Sequence, residues 1–157
     1  MKQFINKQEE TRIDPDEAYM QMAEIWSKRS YATRMKVGAL LVDPIHKQII
    51  SDGWNGMPIG FPNEDVESII NGEKVTNPLV IHAESNCILK CAKTTVSSAG
   101  CTLYIYPFNP CIECTKLIIQ AGIKRVVYRF EYRITDGIEI LRKAGVEVIK
   151  LEQIVKT

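Results

Sequence analysis

The sequence predicts an α/β protein in which helices cover both faces of a five-stranded mixed sheet. Three observations lead to this fold class: an N-terminal helical pattern, a pair of apolar-rich runs separated by a turn, and a second half that alternates helix-like with strand-like runs. Strands joined through a helix must lie parallel, so the last three strands are expected to be parallel to one another. At 157 residues, the chain suits a single domain with one hydrophobic core.

The first helix is predicted to begin after Asp14 and to run to about Ser27. Asp14 is a good N-cap, Pro15 suits the first helical position, and Glu17 is placed to reach back as in a capping box. Apolar residues then recur at helical spacing, at Ala18, Met22, Ile25 and Trp26.

A β-hairpin should follow this helix. Residues 36–43 and 48–54 are short apolar-rich runs, and the turn between them contains Pro44 and His46. We expect His46 to be an exposed side chain in that turn. Residues 55–77 are rich in Gly, Pro and Asn and are interpreted as an inserted loop, with a short helix over residues 65–71.

The remaining elements alternate along the chain. Helices are predicted over residues 82–93, 111–121 and 136–144, and strands over residues 102–106, 125–128 and 147–151. Cys87 and Cys91 share one face of the first of these helices and are expected in the core, as is Cys101.

Composition excludes several classes of protein. Apolar residues make up 45% of the chain, and 20 basic residues balance 19 acidic residues, which disfavours binding of long nucleic acid. The first twelve residues are polar and charged, and no window is apolar enough for a membrane span, so we expect a cytoplasmic protein without an export signal. Five cysteines, an odd number, then indicate free or metal-bound thiols.

Two short motifs carry the chemistry: His82-Ala83-Glu84 and Pro110-Cys111-Ile112-Glu113-Cys114. Two cysteines separated by two residues at a helix start place both sulfurs within reach of one ion, and the helix N-terminus favours their thiolate forms. With His82 as third ligand, zinc would keep one position for water, as catalytic zinc sites do. Glu84 is then placed to move protons, and the combined pattern is the signature of zinc deaminases that act on cytosine or adenine.

Other interpretations of these motifs stay open. A Cys-x-x-Cys motif alone is compatible with redox thiols, and a structural zinc site would need a fourth ligand. His46, the spare histidine, lies in a distant predicted turn. A zinc-stabilised interaction domain without catalytic activity is the corresponding non-enzymatic alternative.

The chain resembles the zinc-dependent cytidine/deoxycytidylate deaminases, most closely the deoxycytidylate (dCMP) deaminases, over roughly residues 29–148. Besides the two metal motifs, the resemblance rests on Arg29-Ser30, Lys36-Val37-Gly38-Ala39, Gly53-Trp54-Asn55-Gly56 and residues 118–127 (IIQAGIKRVV). It implies a three-layer α/β/α sandwich and one catalytic zinc ion per chain. It also implies hydrolytic deamination of dCMP to dUMP.

The resemblance also assigns substrate-binding roles. Asn55 corresponds to the residue that binds the sugar 3′-hydroxyl, and Ala83 to the position whose backbone N–H contacts the pyrimidine. The residues expected on the phosphate side are Arg29, Ser30, Arg34 and Tyr132. The family further suggests a homo-oligomer, a hexamer, and allows for Mg²⁺ bound with an allosteric nucleotide.

The sequence departs from the family pattern at three places. Residues 56–81 contain no Cys or His, so the second, structural zinc of many relatives is expected to be absent. Ala32 stands where relatives commonly have Cys, and the loop at residues 107–109 is one residue longer than usual. This loop borders the base pocket, so a dCTP or dual dCMP/dCTP deaminase remains an alternative, as does a tRNA adenosine deaminase.

Overall fold

The computed structural model describes residues 11–153, and four helices and seven strands follow one another in that range. In chain order they are α1 (Pro15–Ser27), β1 (Gly38–Asp43), β2 (Gln48–Trp54), β3 (Glu67–Ile70), β4 (Glu73–Thr76), α2 (Ala83–Cys91), β5 (Thr102–Phe108), α3 (Ile112–Gln120), β6 (Arg125–Phe130), α4 (Asp136–Lys143) and β7 (Glu147–Lys150). The first ten residues, for which we expected no export signal, lie outside the described range.

The main sheet has five strands in the order β2-β1-β5-β6-β7. β1 pairs antiparallel with both β2 and β5, whereas β5, β6 and β7 are parallel. The predicted mixed sheet is therefore confirmed, including the parallel arrangement of its last three strands. β5 and β6 each extend two residues beyond their predicted ends, and the other shared elements agree with prediction to within two residues at each end.

Helices cover both faces of this sheet because successive strand residues point to opposite sides. Leu40, Tyr104 and Val127 belong to a buried cluster with Met20 and Ala23 of α1. A second buried cluster joins the opposite face of the strands to α2, α3 and α4, through Ala39, Leu41, Leu103, Ile105, Val126, Cys87, Ile118 and Leu141. These three layers form the expected α/β/α sandwich.

The start of α1 is as predicted, but Glu17 has a different partner. The Asp14 carboxylate accepts the Glu17 backbone N–H at 3.2 Å, as an N-cap should. The Glu17 carboxylate, by contrast, accepts two hydrogen bonds from the guanidinium of Arg129 on β6, at 2.7 and 2.8 Å. Arg129 is only 3% exposed, so Glu17 supplies the charge partner that a buried cation requires.

The predicted short helix over residues 65–71 is wrong. A 3₁₀ turn at Asn63–Val66 leads instead into β3 and β4, which form a separate two-stranded antiparallel hairpin. Asn71 and Gly72 connect the strands with φ angles of 52° and 79°. Two successive left-handed residues are what a two-residue hairpin turn requires, and Asn-Gly is its preferred sequence.

The minor side-chain predictions agree with the structure. His46 is exposed in its turn, with Nδ1 2.6 Å from the Asp43 carboxylate. Cys87 and Cys101 are buried, Cys91 is half-buried, and all five cysteines are free thiols. Among residues 11–153, no helix has the length and apolar character needed to cross a membrane.

Candidate active site

Two helix starts bring the three expected metal ligands together. His82 is the N-cap residue of α2, and Cys111 is the N-cap residue of α3, with Cys114 in the first turn of α3. The His82 Nδ1 atom lies 3.4 Å from the Cys111 sulfur and 3.3 Å from the Cys114 sulfur. In the described part of the chain, this is the one group of three or more potential ligands close enough to hold a metal ion, with all ligand atoms within 4.8 Å.

The two cysteines have unequal proton affinities. Hydrogen bonds, first from the Cys114 side chain and then from His82, lower the pKa of the Cys111 thiol below its ordinary value. The backbone N–H of Cys114 also donates to the Cys111 sulfur, at 3.5 Å. The adjacent Cys111 sulfur and burial raise the pKa of Cys114, while the Cys111 contact raises the pKa of His82. The contacts with Cys114 and His82 thus favour the thiolate form of Cys111, which is the form in which cysteine binds a metal ion.

Glu84 lies in the first turn of α2, two residues after His82, and its side chain is almost fully buried at 5% exposure. Burial raises the pKa of this carboxyl above its ordinary value, because the charged form loses solvation. A buried carboxyl next to a metal-ligand cluster is suited to exchange protons with a bound molecule. The proton-transfer role of Glu84 itself stays a prediction.

The metal-ligand cluster opens onto a cleft of about 520 Å³. The residues expected to contact substrate that line this cleft are Arg34, Asn55, Ala83 and Tyr132, together with His82, Glu84 and Cys111. Ala83 is the first residue of α2, and a backbone N–H at a helix start has no acceptor within its own helix. The Ala83 N–H therefore makes no hydrogen bond within α2, which leaves it able to make the predicted contact with the pyrimidine.

Asn55 and Ser30 shape the cleft wall through backbone contacts. The Asn55 side chain accepts the Val37 N–H at 2.9 Å and donates to the Met35 carbonyl at 3.0 Å. Ser30 is buried, and its hydroxyl donates to the Asn55 carbonyl at 2.8 Å while accepting the Ala32 N–H at 3.2 Å. Ser30 thus contacts the cleft-lining residues from behind and is absent from the lining itself.

Arg29 is not brought to this cleft. Its guanidinium lies 5.8 Å from the ring centroid of Trp54, which stacks on Trp26 at 5.3 Å. Arg29 lines a separate depression on the same chain, together with Lys90 and Lys93. Arg29 and Arg34 therefore lie on different surfaces, although only five residues separate them in the segment after α1. Their spacing in the sequence did not indicate this difference.

Two residues that sequence reasoning did not assign also organise the cleft. Asn109 accepts the Tyr132 N–H at 2.6 Å and donates to the Ile134 carbonyl at 2.9 Å, so it joins the loop before Cys111 to the loop after β6. The sequence feature that could have identified Asn109 as a site residue is its position directly before Pro110-Cys111. Glu67 lines the cleft from the inserted hairpin, and its partners are distant in sequence.

Comparison with known proteins places this geometry in a family. Residues 13–130 match the family model described as the cytidine and deoxycytidylate deaminase zinc-binding region. The chain belongs to this family. The match contains both metal motifs and Glu84, and two thiolates with one imidazole are the donor set that zinc takes in catalytic sites.

Relatives of this zinc deaminase include ComE operon protein 2 of Bacillus subtilis, 35% identical over 90% of this chain and 73% of the relative. Human deoxycytidylate deaminase is 36% identical over 78% of this chain and 68% of the relative. The crystal structure of dCMP deaminase from cyanophage S-TIM5, in complex with dCMP and dUMP, is 46% identical with a TM-score of 0.78, covering 89% of this chain and all of that one. A structure of a tRNA:A34 deaminase is 21% identical with a TM-score of 0.51 and shares the fold alone.

Proposed function

We propose that this deaminase hydrolyses dCMP to dUMP and ammonia. The observation that carries the proposal is the cluster of His82, Cys111, Cys114 and buried Glu84 at a cleft of about 520 Å³, which is within the size range of small-molecule sites. The choice of dCMP is supported by the 46% identity to the cyanophage enzyme whose structure holds dCMP and dUMP.

In the proposed mechanism, His82, Cys111 and Cys114 would hold zinc, which would supply Lewis acidity. Glu84 accepts a proton from the attacking water and delivers it to ring N3. The water oxygen bonds to C4 of the pyrimidine, and Glu84 transfers the second proton to the amine as the C4–N bond breaks. One water is consumed, and one ammonia is released. Burial of Glu84 keeps bulk water from competing for these protons.

The proposed substrate contacts follow the cleft lining. Ala83 contributes its backbone N–H to the pyrimidine, Asn55 contacts the sugar, and Arg34 with Tyr132 lies on the phosphate side. Arg34 is the one Lys or Arg among the cleft-lining residues of the described chain, which suits a single phosphate better than a triphosphate. Ser30 then acts by supporting Asn55, and a phosphate contact from Arg29 requires it to leave Trp54.

Ammonia release from dCMP, deoxycytidine, CMP and dCTP, measured side by side on zinc-loaded protein, tests the function. We expect dCMP to have the highest kcat/KM. Deoxycytidine should be at least about tenfold poorer, because a charge-assisted hydrogen bond contributes about 1.5–3 kcal/mol. Equal use of dCMP and dCTP would indicate an open-ended phosphate pocket. A parallel assay with tRNA covers the remaining alternative, and deamination of adenosine in tRNA without turnover of dCMP would refute the proposal.

A metal-site variant distinguishes the enzyme from a zinc-stabilised interaction domain. Cys114→Ser should lose zinc and deamination together, measured by metal analysis and ammonia release. We expect one zinc per wild-type chain, and two tightly held ions would contradict the predicted absence of a structural site. A wild-type protein that binds zinc and deaminates none of the four compounds would favour the non-catalytic alternative.

We further propose a single cytoplasmic deaminase domain that forms a homo-oligomer, a hexamer by family resemblance. Size-exclusion chromatography with light scattering measures the assembly directly. Mg²⁺ bound with an allosteric nucleotide is proposed on the same resemblance, and dCTP and dTTP are the nucleotides to test. The test measures the rate of ammonia release at sub-saturating dCMP, with each nucleotide added in the presence and in the absence of Mg²⁺.

A further inference from the structure

The inserted hairpin β3–β4 is fastened to the segment that carries Arg34. The Glu67 Oε1 atom accepts the backbone N–H groups of Thr33 and Arg34, at 2.8 and 3.0 Å, and Oε2 accepts the Thr33 hydroxyl at 2.6 Å. One carboxylate on the hairpin thus holds three donors of a loop that precedes it by more than 30 residues. These hydrogen bonds lower the pKa of Glu67 to about 2, led by the Thr33 hydroxyl.

The second strand of the hairpin reinforces the same connection. The Lys74 ammonium donates to the Thr33 hydroxyl oxygen at 2.6 Å. The Arg34 guanidinium donates through its Nη1 atom to the Lys74 carbonyl. Arg34 is therefore held twice by the hairpin, at its backbone N–H by Glu67 and at its side chain by Lys74.

The hairpin is also part of the cleft. Val66, Glu67 and Thr76 line it on the insertion side, and Arg34, Met35 and Val37 line it on the neighbouring segment. The Glu67 contacts therefore lie at the junction of two cleft walls. Loss of these contacts would free Thr33 and Arg34, while Met35 and Val37 keep their hydrogen bonds to Asn55 and the predicted zinc ligands stay in place on α2 and α3.

We propose that Glu67 is a positioning residue for substrate binding, which holds Thr33 and Arg34 in the orientation that receives the 5′-phosphate. The assignment of the phosphate rests on the proposed function. Glu67 itself acts through Arg34: its carboxylate is occupied by protein donors, and a like-charged phosphate has no favourable contact with it. A preorganised loop lowers the entropy lost on binding, so Glu67 should affect KM more than kcat.

The test compares Glu67→Ala, Glu67→Gln and Thr33→Val with wild type. Glu67→Gln retains an amide oxygen for the two backbone N–H groups, and Thr33→Val removes the hydroxyl contacts alone. Glu73→Ala is the matched control, because Glu73 is an exposed carboxylate on the same hairpin that does not line the cleft. Zinc content and thermal unfolding establish that each variant is folded and loaded.

For Glu67→Ala, we expect KM for dCMP to rise at least about tenfold, equivalent to about 1.4 kcal/mol. The kcat for dCMP and the kcat/KM for deoxycytidine should each stay within about threefold, since neither depends on phosphate binding. Glu67→Gln should recover most of the loss, Thr33→Val should be intermediate, and Glu73→Ala should equal wild type. An unchanged KM, an equal loss for both substrates, or the same effect from Glu73→Ala would overturn the proposal.

Amide hydrogen exchange over residues 31–37 provides a readout that does not depend on dCMP. Glu67→Ala should speed exchange at Thr33 and Arg34 while leaving α2 and α3 protected. Unchanged exchange there would refute the positioning role. If wild type failed to deaminate dCMP but exchange rose as expected, the proposed substrate would be wrong and the positioning of Arg34 by Glu67 would stand.

Discussion

Replacement of Gly53 by Ala tests how closely the active-site helix depends on β2. A Cβ atom at Gly53 would lie 2.6 Å from the Ala83 carbonyl oxygen and 2.7 Å from the Cys87 nitrogen. Both are backbone atoms of α2, so no side-chain rotation relieves the contact. The helix and the strand must move apart instead.

The size of that movement follows from the distances. Ordinary Cβ contacts begin at 3.4 Å, so the backbone must move by about 0.8 Å at Ala83. Ala83 lies between His82 and Glu84, so the shift reaches both the metal ligand and the proton-transfer residue. Misplacement of about 1 Å can cost about 10²-fold in rate, and overpacking a close contact costs about 1–3 kcal/mol of folding stability.

We therefore expect Gly53→Ala to lower kcat for dCMP by roughly 10- to 100-fold and to reduce the unfolding free energy measured in urea. Gly56→Ala is the control, because a Cβ there has no heavy atom within 4 Å and should leave both quantities unchanged. Wild-type kcat and stability in Gly53→Ala would refute the reasoning. A loss of stability with normal kcat would show that the strain is relieved away from the helix start.

Three further predictions follow from the same contacts. Glu84→Gln should retain zinc but lose at least about 10²-fold in kcat, since the amide cannot transfer the protons; metal analysis and ammonia release check this, and near-normal turnover would contradict it. Asn109→Ala should lower kcat/KM about tenfold, because the loop carrying Tyr132 loses two hydrogen bonds, and unchanged kinetics would remove its positioning role. Glu17→Gln should destabilise the protein by about 3 kcal/mol at pH 7, because the buried cation Arg129 loses its partner. The Arg129 contact lowers the Glu17 pKa in the folded state, so this stabilisation is present above the unfolded value near 4.5 and decreases progressively as pH falls from there through the lower folded-state pKa. Urea unfolding of wild type and Glu17→Gln at pH 7 and pH 3.5 measures the difference in unfolding free energy. A difference that does not change with pH would contradict stabilisation by the Glu17–Arg129 ion pair.

The sequence alone predicted the helices and strands of the main sheet in chain order, and it predicted the three residues that the fold brings together as a candidate metal site. Hydrophobic periodicity and capping are local properties, so the start of α1 at Asp14 and Pro15 could be predicted from neighbouring residues. Chain connectivity through helices then required parallel pairing of β5, β6 and β7. The ligands were predictable because their residue types and spacing at helix starts restrict the chemistry more than the surrounding fold does.

The inserted segment was also predictable in part, and the helix proposed there was an error of interpretation. Asn71-Gly72 is a strong local signal for a two-residue hairpin turn. The hairpin itself, once formed, is exposed along most of β3 and all of β4, so no apolar alternation marked a buried face.

Only the tertiary structure decided which polar residues face the cleft. Arg29 and Arg34 are five residues apart, yet one lies over Trp54 and the other lines the cleft. Glu17 pairs with Arg129, 112 residues away, and Glu67 holds Thr33 across 34 residues. Such contacts depend on how strands, helices and loops pack together, and a side chain's charge does not specify the distant partner that packing brings within hydrogen-bond distance.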